Sequence, residues 1–274
     1  MTYKIDERFF FIETLVWWEG RINTRHLREK YDLSQATAQK ILKQYQKMFP
    51  ENLTYNPSEK AFIVSDSFTA IDKLNDFSDY LVNISGDDHP SISTSVFEVE
   101  APLRNLNPLQ IRPILRAIRE KLAIDIGYIS LSNPDYLDRI IQPHSLIFDG
   151  LRWHIRAYCN KNQDFRDFSL SRFNGDAIFE GKATHSVEQD KNWNTFVDVV
   201  IEPDPRFSDV QKQIIEKDYQ MVNGRKIISV RGALTNYLLK RLNIDHYQNT
   251  PEAQQIVLSS ECRKNIAPYL PQPI

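Results

Sequence analysis

The chain's 274 residues exceed what one ordinary hydrophobic core organises, which predicts two or three domains and excludes a single small scaffold. Hydrophobic residues at 41% and charged residues at 26% supply a core and exclude wholesale disorder. Its 34 basic against 36 acidic side chains leave a formal charge of −2, so a polycationic body is excluded and a nucleic-acid partner would have to meet a local basic face.

From Asp6 to about Ser65 the sequence predicts three short helices and a hairpin. Phe9, Ile12, Leu15 and Val16 recur at helical spacing up to Gly20, a residue suited to a helix C-terminus. Phe9 to Trp18 is also the longest apolar run, but it is broken by Glu13 and falls far short of a membrane span. A second helix runs from a Thr24 cap to Tyr31. After the turn "YDLS", Ser34 offers an N-cap hydroxyl, and Ala38, Ile41, Leu42 and Tyr45 form one buried stripe. Leu53–Tyr55 and Ala61–Val64, separated by "NPSE", read as a hairpin. Helix, helix, turn, helix, hairpin is the order of a winged helix-turn-helix, assigned to residues 1–66.

Phe68, Ile71, Leu74, Phe77 and Leu81 predict a connecting helix, and the polar stretch Ser85–Ser95 a linker, together spanning 67–95. The next helix starts either at Asn107–Pro108 or at Arg112–Pro113, since proline suits a first helical position and is costly inside. From Leu122 to about Glu180, four or five β-type runs alternate with turns at "SNPD", Asp149–Gly150, "NKNQD" and Asn174–Gly175, which predicts a small curled sheet or barrel within 96–185. Residues 186–274 then read as an α/β domain: a strand at "FVDVVIEPD", a helix Phe207–Asp218, a strand at "KIISVRG" and a helix Ala233–Leu242.

Two faces carry the functional reading. On the third helix the apolar stripe leaves Ala36, Lys40, Lys43 and Lys47 opposite, flanked by Gln39 and Gln44. Lysines there suit phosphates, and Gln35, Thr37 and Gln39 near the helix start are short enough to reach base edges. Lys60 on the hairpin would touch the adjacent backbone. A charged outer helix face is ordinarily just a solvated one, and the order of the surrounding elements is what favours DNA. Trp17, Trp18 and Phe49 read as core or domain-packing aromatics.

The second face lies on the strand after Asp149–Gly150. At period two, Leu151, Trp153, Ile155, Ala157 and Cys159 point one way and Arg152, His154, Arg156 and Tyr158 the other. Nearby strands add His144, Ser145, Arg166 and Arg172. Arginine forks mixed with Tyr, His and Ser suit a phosphate-bearing or carboxylate-bearing ligand, and an exposed arginine face paired with its own aspartates accounts for the same spacing equally well. No phosphate-loop, GxGxxG, HExxH or GxSxG pattern occurs, and the six histidines show no metal-ligand spacing, so no catalytic residue, metal or cofactor is assigned. His144–Ser145 beside Asp149 is a weak imitation of a hydrolytic triad. Cys159 and Cys262 form no CxxC pair, which fits a reducing compartment, and with no signal pattern the expectation is a cytoplasmic protein.

"PHSLIFDGLRWHIRAYC" followed by "FRDFSLSRF" resembles the core of WYL-domain proteins, with Trp153-His154-Ile155 standing where that family has Trp-Tyr-Leu. Pro143, His144, Ser145, Arg156-Ala157-Tyr158, Leu170-Ser171-Arg172 and Tyr128 fit the family pattern. Over nearly the whole chain the sequence is similar to the WYL repressors that accompany bacterial phage-defence islands such as BREX and CBASS, with "LTNYLLKRLNID" matching their last domain.

The resemblance implies an α+β, multidomain protein: a winged helix-turn-helix, an Sm-like β-barrel and a C-terminal α/β extension and dimerisation domain. It implies a homodimer on an inverted-repeat operator, and an anionic effector, a nucleotide or nucleic-acid fragment, sensed by the WYL domain. The expected DNA-binding residues are Ser34, Gln35, Ala36, Thr37, Gln39, Lys40, Lys43, Gln44 and Lys60. The expected ligand residues are Tyr128, His144, Ser145, Arg152, His154, Arg156, Arg166 and Arg172. A single-strand or RNA-binding module using the barrel, and more remotely a nucleotide phosphodiesterase, stay open.

Overall fold

The computed structural model describes residues 7–71, 106–131 and 137–271, with Phe77, Tyr80 and Pro134 besides. The chain divides into two compact units, Met1–Glu100 and Ala101–Ile274. The expected linker Ser85–Ser95, and Leu74 and Leu81 of the expected connecting helix, lie outside the described residues; Phe68 and Ile71 lie outside any helix.

In the first unit, α1 (Glu7–Glu19), α2 (Thr24–Tyr31) and α3 (Gln35–Met48) pack on a three-stranded sheet of β1 (Arg21–Ile22), β2 (Leu53–Asn56) and β3 (Ala61–Val64), in the order β1-β3-β2. The core joins Phe9, Ile12 and Leu15 of α1 to Leu27 of α2 and to Ala38, Ile41, Leu42 and Tyr45 of α3. Gly20 takes φ +73°, a left-handed value open to glycine at little cost, and so reverses the chain from α1 into β1. The second helix is capped by Asn23 instead of Thr24: the Asn23 side chain accepts from the Arg25 amide, and His26 Nδ1 accepts from the Asn23 amide at 3.1 Å. An amide side chain one residue earlier thus outcompetes the hydroxyl. Ser34 caps α3 by accepting from the Thr37 amide.

Glu13, which interrupts the apolar run, is buried in this core. Tyr45 donates to Glu13 Oε1 at 2.9 Å and the Ile71 amide donates to Oε2 at 2.9 Å, while Asn52 Nδ2 donates to the Tyr45 oxygen. A buried polar group needs such partners. Burial pushes the Glu13 carboxyl upward, with the Ile71 and Tyr45 bonds opposing. Trp17 and Trp18 are not core: both are about half exposed, Trp17 beside Phe68 and Trp18 against Phe77 and Tyr80.

The second unit opens with α4 (Pro108–Glu120), capped by Asn107, so the earlier start is the observed one and Pro113 lies inside the helix. Five antiparallel strands follow: β4 (Leu122–Tyr128), β5 (Leu137–Phe148), β6 (Trp153–Cys159), β7 (Asp164–Ser169) and β8 (Phe173–Lys182), in the order β7-β6-β5-β4-β8. Their core holds Ile124, Ile126, Ile141, Ile155, Ala157 and Phe168, with Ile114 and Ala117 of α4 against it. The expected turn at Asn174–Gly175 is instead an irregularity within β8, where the pairing with β4 shifts register between Asp125 and Gly127. Leu170–Arg172 form a 3₁₀ turn between β7 and β8, not a continuation of the strand.

After α5 (Lys191–Asn194) come β9 (Phe196–Pro203), α6 (Asp209–Asp218), β10 (Lys226–Arg231), α7 (Thr235–Arg241), β11 (Ile256–Leu258) and α8 (Ser260–Ile266). The sheet order is β10-β9-β11. The helix expected from Phe207 starts at Asp209 under a Ser208 cap, and the one expected from Ala233 begins as a 3₁₀ turn at Gly232–Leu234 before α7. Val199, Ile201, Leu239, Ile256 and Ile266 form this layer's core.

Candidate nucleic-acid interface and arginine cleft

The outward face of α3 is set by its inward one. With Ala38, Ile41, Leu42 and Tyr45 buried, Ser34, Gln35, Ala36, Gln39, Lys40, Lys43, Gln44 and Lys47 are exposed and Thr37 half-buried. Gln35, Gln39 and Lys43 line a groove of about 360 Å³ with Lys60 and Phe62 of the hairpin and Asn23 and Thr24 at the start of α2. Ser34, Ala36, Thr37, Lys40 and Gln44 do not line it.

Gln35 is held in place. Its amide exchanges hydrogen bonds with Thr24 Oγ1 at 3.0 and 3.2 Å, and Arg28 Nη1 donates to Gln35 Oε1 at 3.4 Å. Lys60, at φ +50°, is the last residue of the wing's turn, directly before β3. Tyr55, half exposed on β2 and edge-on to Phe62, completes the groove. Residue pattern alone did not single it out, because it is an isolated aromatic in a four-residue strand. No ion pair among the described residues engages Lys40, Lys43 or Lys60, so these charges are free for phosphates.

In the second unit the expected ligand residues separate. Arg152, His154, Arg156 and Arg166 line a cleft of about 960 Å³. Tyr128, Arg166 and Arg172 line another of about 420 Å³, joined there by Arg139. His144 and Ser145 line neither. A β-bulge explains their displacement: Pro143 pairs with Ala157 and Ser145 with Arg156, so His144 is the extra residue and the strict alternation along β5 breaks there.

The face of β6 carrying Arg156 and Tyr158 is buried rather than open. Arg156 meets Asp190 through Nε at 2.6 Å and Nη2 at 3.1 Å, and meets Asp167 through Nη1 at 3.1 Å. Tyr237 of α7 donates to the other Asp167 oxygen at 3.0 Å, and His144 Nε2 lies 3.3 Å from Asp190. Two strands and the segments on either side of β9 are thereby tied through one guanidinium. Burial alone would raise the Asp190 carboxyl, but hydrogen bonds from His144 and Arg156 and the Arg156 charge hold it well below the usual carboxylate range. Burial likewise pushes the Tyr237 phenol up, reinforced by the neighbouring Asp167.

His154 pairs with Asp149 at 2.9 Å. Burial opposes ionisation of Asp149, yet the His154 bond and the Leu151 and Arg152 amides lower its carboxyl. His144 Nδ1 contacts Ser145 Oγ at 2.8 Å, so a Ser-His-Asp chain exists with Asp190, not Asp149, as its acid. That acid is already neutralised by Arg156, and Ser145 opens onto neither cleft, so the chain is a structural network. Among the described residues no three His, Cys, Asp or Glu side chains are placed to hold a metal ion, and no helix is long and apolar enough to cross a membrane.

Three family models match the chain: the BrxR transcriptional regulator winged helix-turn-helix domain over residues 4–86, the WYL domain over 110–175, and the BrxR transcriptional regulator C-terminal dimerization domain over 196–266. The chain is 33% identical over 268 residues to a protein of Pseudomonas aeruginosa described as the DNA-binding transcriptional repressor CapW, covering 93% of this chain and 89% of that protein. A CapW repressor of Escherichia coli (strain KTE188) is 34% identical over 267 residues with the same coverage. A solved structure of the proteasome accessory factor PafBC of Arthrobacter aurescens is 17% identical, covering 61% of this chain and 27% of that one, at a TM-score of 0.28, too low to bear on the fold.

Proposed function

The chain belongs to the family of WYL-containing transcriptional regulators that includes the CapW repressors, and from that premise we propose that α3 and the wing read an inverted-repeat operator while the arginine cleft senses an anionic effector. It is a DNA-binding transcriptional repressor with a dimerization domain. Gln35, Ala36, Thr37, Gln39 and Lys40 approach bases, with Ser34 fixing the helix start; Lys43, Gln44 and Lys60 hold phosphates. Two such helices related by the dimer axis call for a palindromic site.

The observation that carries this reading is the convergence of Gln35, Gln39, Lys43 and Lys60 from two elements on one groove beside the α2–α3 turn. Regulated genes in a phage-defence operon, and an effector that is a nucleotide or nucleic-acid fragment, complete the proposal. Such an effector switches the repressor only by preferring one dimer arrangement over another.

Fluorescence anisotropy of the protein on the duplex upstream of its own gene, against a scrambled duplex and the single strand at one salt concentration, tests it. The native duplex should win by a factor of about 10³ or more at two subunits per site. Equal affinity for both duplexes would remove the operator-reading role, and tighter binding to the single strand would shift the function to the barrel.

A further inference from the structure

The large cleft has a second wall that the arginine face does not supply. Arg156 is engaged by Asp190 and Asp167, and His154 by Asp149, which leaves Arg152 and Arg166 as the cations of the barrel wall without an ion pair among the described residues. The same cleft is lined by Lys240 and Arg241 in the last turn of α7, both exposed and likewise without an ion pair among the described residues.

Their placement is fixed by Tyr237, three and four residues earlier on the same helix. Its hydroxyl holds Asp167 and its ring packs on His154 at 5.2 Å between centroids. The cleft of about 960 Å³ is lined by five Lys and Arg side chains against three carboxylates, Asp149, Asp164 and Asp167, with Arg156 shared between Asp167 and Asp190, so the lining keeps an excess of positive charge. An excess of positive charge around a concave space favours an anion there, and Arg152 and Arg166 of the sheet together with Lys240 and Arg241 of α7 suit a ligand with more than one phosphate. Half-buried Phe165 and Tyr269 add ring faces on which a base can stack.

We propose that Lys240 and Arg241 form half of the effector site, so that a phosphodiester-linked nucleotide bridges the barrel and the dimerization domain. The inference rests on the anionic-effector reading above and adds the C-terminal wall to it. A ligand so placed touches directly the domain through which two copies associate, and its grip on α7 is what would bias one dimer arrangement over another.

The test is anisotropy of a fluorescein-labelled thymidine hexanucleotide on the full-length protein, with unlabelled 5′-phosphorylated diadenylate as competitor. Wild type, Arg166→Ala, Lys240→Ala/Arg241→Ala and Lys240→Glu/Arg241→Glu are compared, and thermal unfolding checks that each is folded. Loss of tenfold or more in the double alanine variant, a salt slope shallower by about 1, and abolition by charge reversal support the site. Displacement by the dinucleotide would support a short ligand there, and loss of strand binding without displacement would support a single-strand ligand at the same residues. Wild-type affinity in both double variants, with loss confined to Arg166→Ala, would overturn the inference and leave the anionic-effector reading standing. No binding of either probe to the wild type up to millimolar concentration would overturn both.

Discussion

Two faces of this molecule read alike as sequence and differ as structure. The outer face of α3 and the basic face of β6 each alternate away from an apolar stripe, and each carries a local excess of positive charge. On α3 the lysines stand in solvent. On β6 the central cation, Arg156, is 5% exposed and closed over by Asp190, 34 residues later. Periodicity says which way a side chain points, and distant chain decides what it meets there.

The difference is sharpest where the pairing is removed. Asp190→Ala should destabilise the second unit by about 2–4 kcal/mol in chemical denaturation, because buried Arg156 loses two charged hydrogen bonds and keeps Asp167 alone. A loss below about 1 kcal/mol would mean that Asp167 alone satisfies Arg156. The same carboxylate sets a pH dependence. Held below its ordinary value of 3.8, Asp190 takes up fewer protons folded than unfolded, so its stabilisation is present above about pH 4 and fades as pH falls toward the folded value.

Glu13 in the first unit behaves oppositely: burial raises its carboxyl, so the folded form binds a proton more readily and the cost of its charge at neutral pH is relieved as pH falls through the raised value. Glu13→Gln should flatten the pH dependence of the first unit's unfolding, and an unchanged profile would contradict that assignment.

On the α3 face the effects are on binding rather than stability. Gln35→Ala should narrow the ratio of operator to random affinity by about 1–3 kcal/mol, since one base contact is lost. An intact ratio would return Gln35 to the purely structural role its Thr24 and Arg28 bonds already give it. Lys43→Ala should weaken all duplexes alike and reduce the salt slope by about 1. Smallest of all, Arg25→Ala breaks an exposed pair with Glu29 and should shift unfolding by no more than about 0.5 kcal/mol.

The first unit was legible because its information is local. Ala38, Ile41, Leu42 and Tyr45 lie within eight residues of one another, and Ser34 caps the helix they define. The errors there were small shifts, Asn23 for Thr24 as a cap, and the two-residue strand β1, too short for any alternation to register. In the second unit the succession of strands was legible from turns and alternation, but their order in the sheet and the site were not. The bulge at His144 breaks the period-two count on β5, and Asp190 reaches β6 from 34 residues beyond Arg156 while Tyr237 reaches β7 from 70 residues beyond Asp167. The three-residue strand β11 and the helix α8 had too little pattern to be seen.

The contrast between a free face and a closed one is tested most directly by anisotropy titrations of the operator duplex with Lys43→Ala and Arg156→Ala, at a temperature where unfolding curves show both folded. Lys43→Ala should lose affinity for every duplex while its unfolding midpoint stays at the wild-type value, and Arg156→Ala, though less stable, should bind the operator as the wild type does. Wild-type binding by Lys43→Ala together with weakened binding by folded Arg156→Ala would place the DNA contact on the barrel and contradict the account.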